Sequence, residues 1–271
     1  MAFEEIAARG LVLLGAGRMG SAMLSGWISA GIPPGAVTVL DPAPADSVKR
    51  SGVRIGDDLP QAPAVVIVAV KPQMIREALP QVAGFGGGET LVISVAAGTQ
   101  IALFEEIFGA GTPVIRAMPN TPAAIGRGIT AIVGNSAAGA DDLDVAEALL
   151  VSVGQVVRLE AEEQMDAVTA LSGSGPAYVF HLIECMTAAG IAEGLGEDLS
   201  RELATATVAG SGALALGTEE SPGQLRKNVT SPGGTTQAAL EVLMDGETGL
   251  PPLMRRAVAA AARRSRELAD G

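Results

Sequence analysis

Leu11-Val12-Leu13-Leu14-Gly15-Ala16-Gly17-Arg18-Met19-Gly20 is the stretch on which the reading of this chain turns. Four apolar residues make a short strand. Gly15, Gly17 and Gly20 follow at the spacing G-x-G-x-x-G, and a helical stretch runs on to about Ala30. Between a strand and a helix, the first two glycines serve a tight turn and close backbone approach to a pyrophosphate, and the third lets strand and helix pack closely. The N–H groups that open the helix then face an anion. Gly15, Ala16, Gly17, Arg18, Met19 and Gly20 are therefore candidate dinucleotide-binding residues. The next apolar run, Val37–Leu40, ends at Asp41, roughly 20 residues on, where an acidic side chain accepts from the adenosine ribose 2′-OH. Asp41 favours NAD, since a carboxylate repels the 2′-phosphate of NADP; a helix N-cap is its other use. Pro42-Ala43-Pro44 brings no cation beside it, although Lys49 and Arg50 could swing in.

Outward from that stretch, apolar runs alternate with helical ones. Val53–Ile55, Ala64–Val70, Leu91–Val95, Val114–Ala117, Ile129–Val133 and Gln155–Leu159 are strand candidates. Pro72–Val82, Ile101–Phe108 and Asp141–Val151 are helical. Continuous Val/Ile runs such as Ala64–Val70 suit strands covered on both faces. The alternation predicts an α/β fold: a mostly parallel Rossmann-type sheet with helices on both faces. From about Glu162 the Val/Ile runs stop and helical segments follow: Pro176–Gly194, Leu199–Leu216 and Leu250–Leu268. The predicted organisation is a dinucleotide-binding domain over 1–162 and an all-helical domain over 163–271. The apolar stripes and small residues of the second suit burial against a partner chain.

Composition narrows the function classes. The chain has 271 residues with 18 Lys+Arg against 30 Asp+Glu, a net charge of −12, which disfavours a nucleic-acid partner. No apolar run approaches the ~20 residues of a membrane helix. One cysteine among 271 residues excludes an intramolecular disulfide and a Cys-based zinc site, and no His-rich metal set exists. Met1–Arg9 carries Glu4 and Glu5 and does not read as a secretory signal, so a cytoplasmic location is expected. His181, the single histidine, and Cys185 lie on an apolar stretch and read as packing residues, as do Trp27 and Tyr178. A Ser-His-Asp set would have to use His181. A reaction that asks little of side chains fits better, and hydride transfer is one, because the cofactor carries it.

The remaining motifs sit where such chemistry needs them. Val70-Lys71-Pro72 closes the most buried strand; Lys71 either borders a cofactor or extends to solvent. Ser94-Val95-Ala96-Ala97-Gly98 ends another strand in small residues. Met118-Pro119-Asn120-Thr121-Pro122 ends a third; Asn120 offers an amide, although the two prolines also make a turn. Leu171-Ser172-Gly173-Ser174-Gly175-Pro176-Ala177-Tyr178 enters a long helix and could be only its cap. Ser231-Pro232-Gly233-Gly234-Thr235-Thr236 precedes the helical stretch Gln237–Met244. It is either a capping turn or an anion site suited to a substrate carboxylate.

Taken in order, GAGRMG (15–20), VAVKPQ (68–73), SVAAG (94–98), RAMPNTP (116–122), LSGSGPAY (171–178) and SPGGTT (231–236) resemble the Δ1-pyrroline-5-carboxylate reductase family. The last two strings are the specific ones. The resemblance implies reduction of the cyclic imine L-1-pyrroline-5-carboxylate to L-proline, the last step of proline biosynthesis, with NADPH or NADH. It implies a homodimer interlocked through the helical domain, often built into rings of dimers. It assigns substrate binding to Ser231, Gly234, Thr235 and Thr236, with Thr236 as the catalytic residue that hydrogen-bonds the ring nitrogen. It assigns cofactor binding to Gly15–Gly20, Val70, Lys71, Pro72, Ala97 and Asn120. Asp41 departs from the NADP-type pattern and leaves the preferred dinucleotide open. Two alternatives are a β-hydroxyacid dehydrogenase-like enzyme, for which Lys227 is the sole catalytic lysine candidate, and a non-catalytic NAD(P)-sensing protein.

Overall fold

The computed structural model describes residues 2–269. Contacts divide the chain into two compact units. One runs through Gly173 and includes the segment from Ala262 onward; the other is Ser174–Ala261.

In the first unit, α1 (Ala2–Arg9) precedes β1 (Leu11–Leu14), α2 (Arg18–Ser29), β2 (Val37–Leu40), α3 (Asp46–Lys49), β3 (Arg54–Ile55), β4 (Val65–Val68) and α4 (Ile75–Ala78). Then come β5 (Leu91–Ser94), α5 (Ile101–Phe108), β6 (Val114–Met118), β7 (Gly128–Gly134), α6 (Ala140–Leu150), β8 (Gly154–Arg158) and α7 (Met165–Val168). The strands form one sheet in the order β3-β2-β1-β4-β5-β6-β7-β8. All neighbours are parallel except β6 and β7, so β7 and β8 run against the other six. The reversal follows from chain length: residues 119–127 are too few for a parallel crossover, which takes about a dozen or more.

Side chains alternate across the sheet as a two-residue period requires. Leu11, Leu13, Val37, Val39, Val65 and Ile67 share one buried cluster with Met23, Leu24 and Trp27 of α2 and Leu149 and Leu150 of α6. Val12, Leu14, Val66, Val68 and Val92 share the other with Ile75, Leu79, Phe104 and Phe108. The two faces are thus covered by different helices. The chain leaves β1 toward β2 on one side, and β4 lies on the other, so β1 marks the place where open sheets of this kind bind ligands beyond their carboxyl ends. The helix expected over Pro72–Val82 is broken into 3₁₀ turns at Pro72–Met74 and Leu79–Gln81 around α4. Pro80 brings no N–H to continue it.

The expected boundary at residue 162 falls before a segment that packs on the first unit. Met165 is fully buried in its core. The Glu162 carboxylate accepts from Arg116 Nη1 at 2.7 Å and from the Ile101 N–H at 2.9 Å. Thr169–Gly173 is π-helical. In the second unit, α8 (Gly175–Ala192) packs along α9 (Glu197–Leu216); a Cβ at Gly190 would overlap Ser200 Oγ, so the small residue sets the approach. Next come α10 (Pro222–Asn228), capped by Ser221 Oγ accepting from the Gln224 N–H, then α11 (Thr235–Leu243) and α12 (Leu250–Ala269).

Candidate active site

At the carboxyl end of β1 the first unit holds a cleft of about 530 Å³, lined in part by Gly15, Gly17, Asp41, Val70 and Lys71. The three motif glycines divide the work by geometry. Gly15 has φ +92°, and a Cβ there would press on the Ala69 carbonyl and Val70. A Cβ at Gly20 would overlap the Gly15 carbonyl oxygen, so the third glycine brings α2 onto the loop. Gly17 meets nothing within 4 Å and faces the cleft, which leaves room for a ligand against bare backbone. Gly17 also precedes the first residue of α2 with no side-chain cap. Among the described residues no acceptor reaches the N–H groups of Arg18, Met19 and Gly20. A glycine cradle with open space and free helix N–H groups fits the pyrophosphate of a dinucleotide.

The Asp41 carboxylate braces this loop. Its Oδ2 accepts from the Ala16 N–H at 2.7 Å and its Oδ1 from the Ala43 N–H at 2.8 Å. It caps a turn rather than the helix that follows, whose first turn carries no side-chain cap. Arg18 and Pro72 are exposed, Met19 is half-buried, and none of the three lines the cleft. Ala97 and Asn120 lie beyond β5 and β6, on the same carboxyl edge of the sheet as Gly15 and Lys71 but outside the cleft lining. Asn120 has an internal use: its Oδ1 accepts from the Ile129 N–H at 3.0 Å and its Nδ2 donates to Ser172 Oγ at 3.3 Å. That bond ties the MPNTP turn to the LSGSG segment. The cleft also takes in Gly56, Asp57, Met74, Glu77 and Gln81, which motif reading passes over. Glu77 and Gln81 follow Lys71-Pro72 four residues apart, a one-face helical spacing that was available as a signal.

In the second unit, Ser231–Thr236 forms a turn into α11. The Gly234 N–H bonds the Ser231 carbonyl at 3.0 Å, and Gly233 has φ +69°. The Gln237 side chain reaches back to accept from the Gly233 N–H at 2.7 Å. A Cβ at Gly234 would overlap Ser231 Oγ, so only glycine leaves that hydroxyl beside the helix start. Among the described residues no acceptor meets the N–H groups of Thr235, Thr236 and Gln237. Ser231 and Thr235 are exposed, and Thr236 is half-buried.

Comparison with known proteins names both halves. Residues 10–98 match the family model described as NADP oxidoreductase, coenzyme F420-dependent, and residues 162–268 match the model for pyrroline-5-carboxylate reductase dimerisation. A pyrroline-5-carboxylate reductase of Pseudomonas aeruginosa is 36% identical over 96% of this chain and 97% of its own. One from Synechocystis is 40% identical over 95% and 97%. The chain belongs to the pyrroline-5-carboxylate reductase family. Among solved structures, a pyrroline-5-carboxylate reductase from Coxiella burnetii superposes with TM-score 0.90 at 34% identity, covering 96% of this chain and 98% of that one. The Plasmodium falciparum pyrroline carboxylate reductase, solved with NADP bound, gives 0.81 at 28% identity and the same coverage.

Family membership displaces the hydroxyacid dehydrogenase alternative. Lys227 sits exposed in the last turn of α10. The expected packing roles of His181 and Cys185 are corrected: both are exposed on α8, His181 Nδ1 lies 2.9 Å from Glu184 Oε2, and Cys185 Sγ lies 3.6 Å from His181 Nε2. An apolar stretch buries nothing unless something packs on it, and among the described residues nothing covers that face of α8. Trp27 is fully buried, with Nε1 donating to the Leu149 carbonyl at 2.9 Å. Tyr178 is half-buried. Among the described residues no cluster of His, Cys, Asp and Glu could hold a metal ion, and no helix is long and apolar enough to cross a membrane.

Proposed function

We infer that this chain reduces L-1-pyrroline-5-carboxylate to L-proline, the closing step of proline biosynthesis, as an NAD(P)H-dependent oxidoreductase acting on a C=N bond. The observation that carries the site assignment is the run of unbonded N–H groups at Thr235, Thr236 and Gln237 behind the Ser231–Gly234 turn. Such a row at a helix N-terminus binds a carboxylate, and the substrate is a small ring bearing one. Ser231 Oγ and the amides at 234–236 hold the acid group; Thr236 Oγ orients the ring nitrogen. The imine enters protonated from solvent, since neither Thr236 nor its neighbours is a strong acid. The glycine cradle and the free N–H groups of Arg18, Met19 and Gly20 hold the pyrophosphate of the reductant, and Val70, Lys71, Pro72, Ala97 and Asn120 border its nicotinamide half. When bound there, NADPH, or NADH in the same cradle, supplies hydride to the imine carbon. A site without a catalytic histidine suffices, because the protein's part is to bind and orient.

The assembly we propose is a homodimer through the helical unit, with rings of dimers as the larger form. The apolar residues exposed on α8, α9 and α11 support it. A cytoplasmic location accords with a single cysteine and so with no disulfide to form. The test of the site is Thr236→Ala. It should lower kcat at least about tenfold through the lost contact to the reacting nitrogen, while the Kd for NADPH, read by nicotinamide fluorescence, stays unchanged. Loss of NADPH binding with retained kcat would reassign the residue.

A further inference from the structure

We propose that this chain binds the dinucleotide without a 2′-phosphate more tightly than the phosphorylated one, so that NADH outcompetes NADPH for the cleft, and that Asp41 and Asp57 make the choice. The proposal rests on the dinucleotide reading of that cleft. Asp41 ends β2, on the side where the adenosine ribose lies in folds of this kind. Its carboxylate cannot turn away cheaply. One oxygen is held by the Ala16 N–H at 2.7 Å and the other by the Ala43 N–H at 2.8 Å, and Ala16 is itself buried. Each carboxylate oxygen keeps a second lone pair for a further donor. A ribose 2′-hydroxyl can donate to it. A 2′-phosphate brings a charge of about −1.5 to −2 and oxygens that only accept.

The wall around Asp41 adds to this bias. Asp57 and Glu77 also line the cleft, and among the described residues Lys71 is the only cation that does. Lys71 follows β4, and β1 lies between β4 and β2, so Lys71 and Asp41 enter the cleft from strands on opposite sides of β1. Lys49 is drawn to Asp46 at 3.6 Å, and neither it nor Arg18 nor Arg50 lines the cleft. Pro42, which also lines it, offers an apolar face and no charge.

The experiment uses two probes that differ only in the group at issue and lack the nicotinamide: ADP-ribose and 2′-phospho-ADP-ribose, titrated calorimetrically into the full chain at low and at physiological salt. ADP-ribose should bind about tenfold or more tightly at low salt, with a gap that narrows as salt screens it. NADH and NADPH, followed by nicotinamide fluorescence, should rank the same way. Asp57→Asn should close part of the gap by strengthening binding of the phosphorylated probe alone. Asp41→Asn should do so more strongly, and if loss of its loop bonds unfolds the protein, Asp57→Asn carries the test. Equal or tighter binding of 2′-phospho-ADP-ribose overturns the proposal and leaves the dinucleotide reading standing, as does a gap that neither substitution changes. Binding of neither probe overturns that reading and the proposal with it.

Discussion

The two units bury their apolar residues in opposite ways. In the first, all four residues of β1, β2, β4 and β5 are buried, and large side chains such as Trp27, Phe104 and Leu79 are fully enclosed by their own chain. In the second, the 18 residues of α8 and the nine of α11 include none that is fully buried, and α9 buries only Ser200 and Ala204. Phe180 is 60% exposed and Val242 72%. One unit completes its core from within. The other leaves large apolar side chains of α8, α9 and α11 exposed, the kind of surface that marks a contact, and it coincides with a match to a dimerisation family. The glycine cradle proposed for the dinucleotide belongs to the self-sufficient unit, and the loop proposed for the substrate to the one that needs company. Cofactor binding should therefore outlast loss of assembly.

The strongest way to break this comparison is through Trp27. Its ring fills the face shared by α2 and α6, and its N–H meets the Leu149 carbonyl. Trp27→Ala should cost about 3–5 kcal/mol from the cavity; the Leu149 carbonyl keeps the Ser152 hydroxyl as a donor, so the lost volume sets the size of the effect. Urea unfolding followed by circular dichroism would read it, and the loss should not depend on protein concentration. A loss that vanished at high concentration would mean that the first unit also leans on a partner.

Next in size is Phe180→Glu. A charge in the middle of an apolar contact should weaken association by about 2–4 kcal/mol, the cost of losing an interface hot spot. Sedimentation velocity should then show smaller species at concentrations where the unaltered chain is assembled, with the Kd for dinucleotide unmoved. Unchanged assembly would remove this face of α8 from the contact.

The same contrast explains what could be read in the sequence. Strands β1 and β2 coincide with the runs Leu11–Leu14 and Val37–Leu40, because a strand buried on both faces admits only apolar residues and announces itself. The cradle was legible for a related reason: the constraints on Gly15 and Gly20 are local, set by neighbours within the same strand–turn–helix unit. The reversal at β7 was less visible, since no residue type encodes strand direction; only the short span 119–127 does. Exposure of His181 and Cys185 was not visible, because α8 is predominantly apolar and its sequence does not tell an intrachain neighbour from a partner chain. Asp57 entered the cleft unannounced, since its place there depends on where the chain goes after β3 and not on a motif, and Glu77 was signalled only by its helical spacing with Gln81.

The smallest effect concerns what holds the second unit where apolar packing is thin. Between α11 and α12, Asp245 Oδ1 accepts from the Thr248 N–H at 2.7 Å, the Thr248 hydroxyl at 2.8 Å and the Glu247 N–H at 2.9 Å. These bonds, that of the Thr248 N–H first, hold the Asp245 carboxyl below the ordinary carboxylate range. A depressed folded pKa means that the turn is stabilised in full above the unfolded value, about pH 4, and that the stabilisation is lost as pH falls through the lowered folded value. The Thr248 amide resonance should therefore be flat above about pH 4 and move below it, and Asp245→Asn should abolish that movement. The difference in urea midpoint between the two proteins should be constant at neutral pH and fade in acid. If it persisted undiminished at the acid end, charge would not be what fastens the turn, and the second unit would owe more to packing within the chain than its exposed helices suggest.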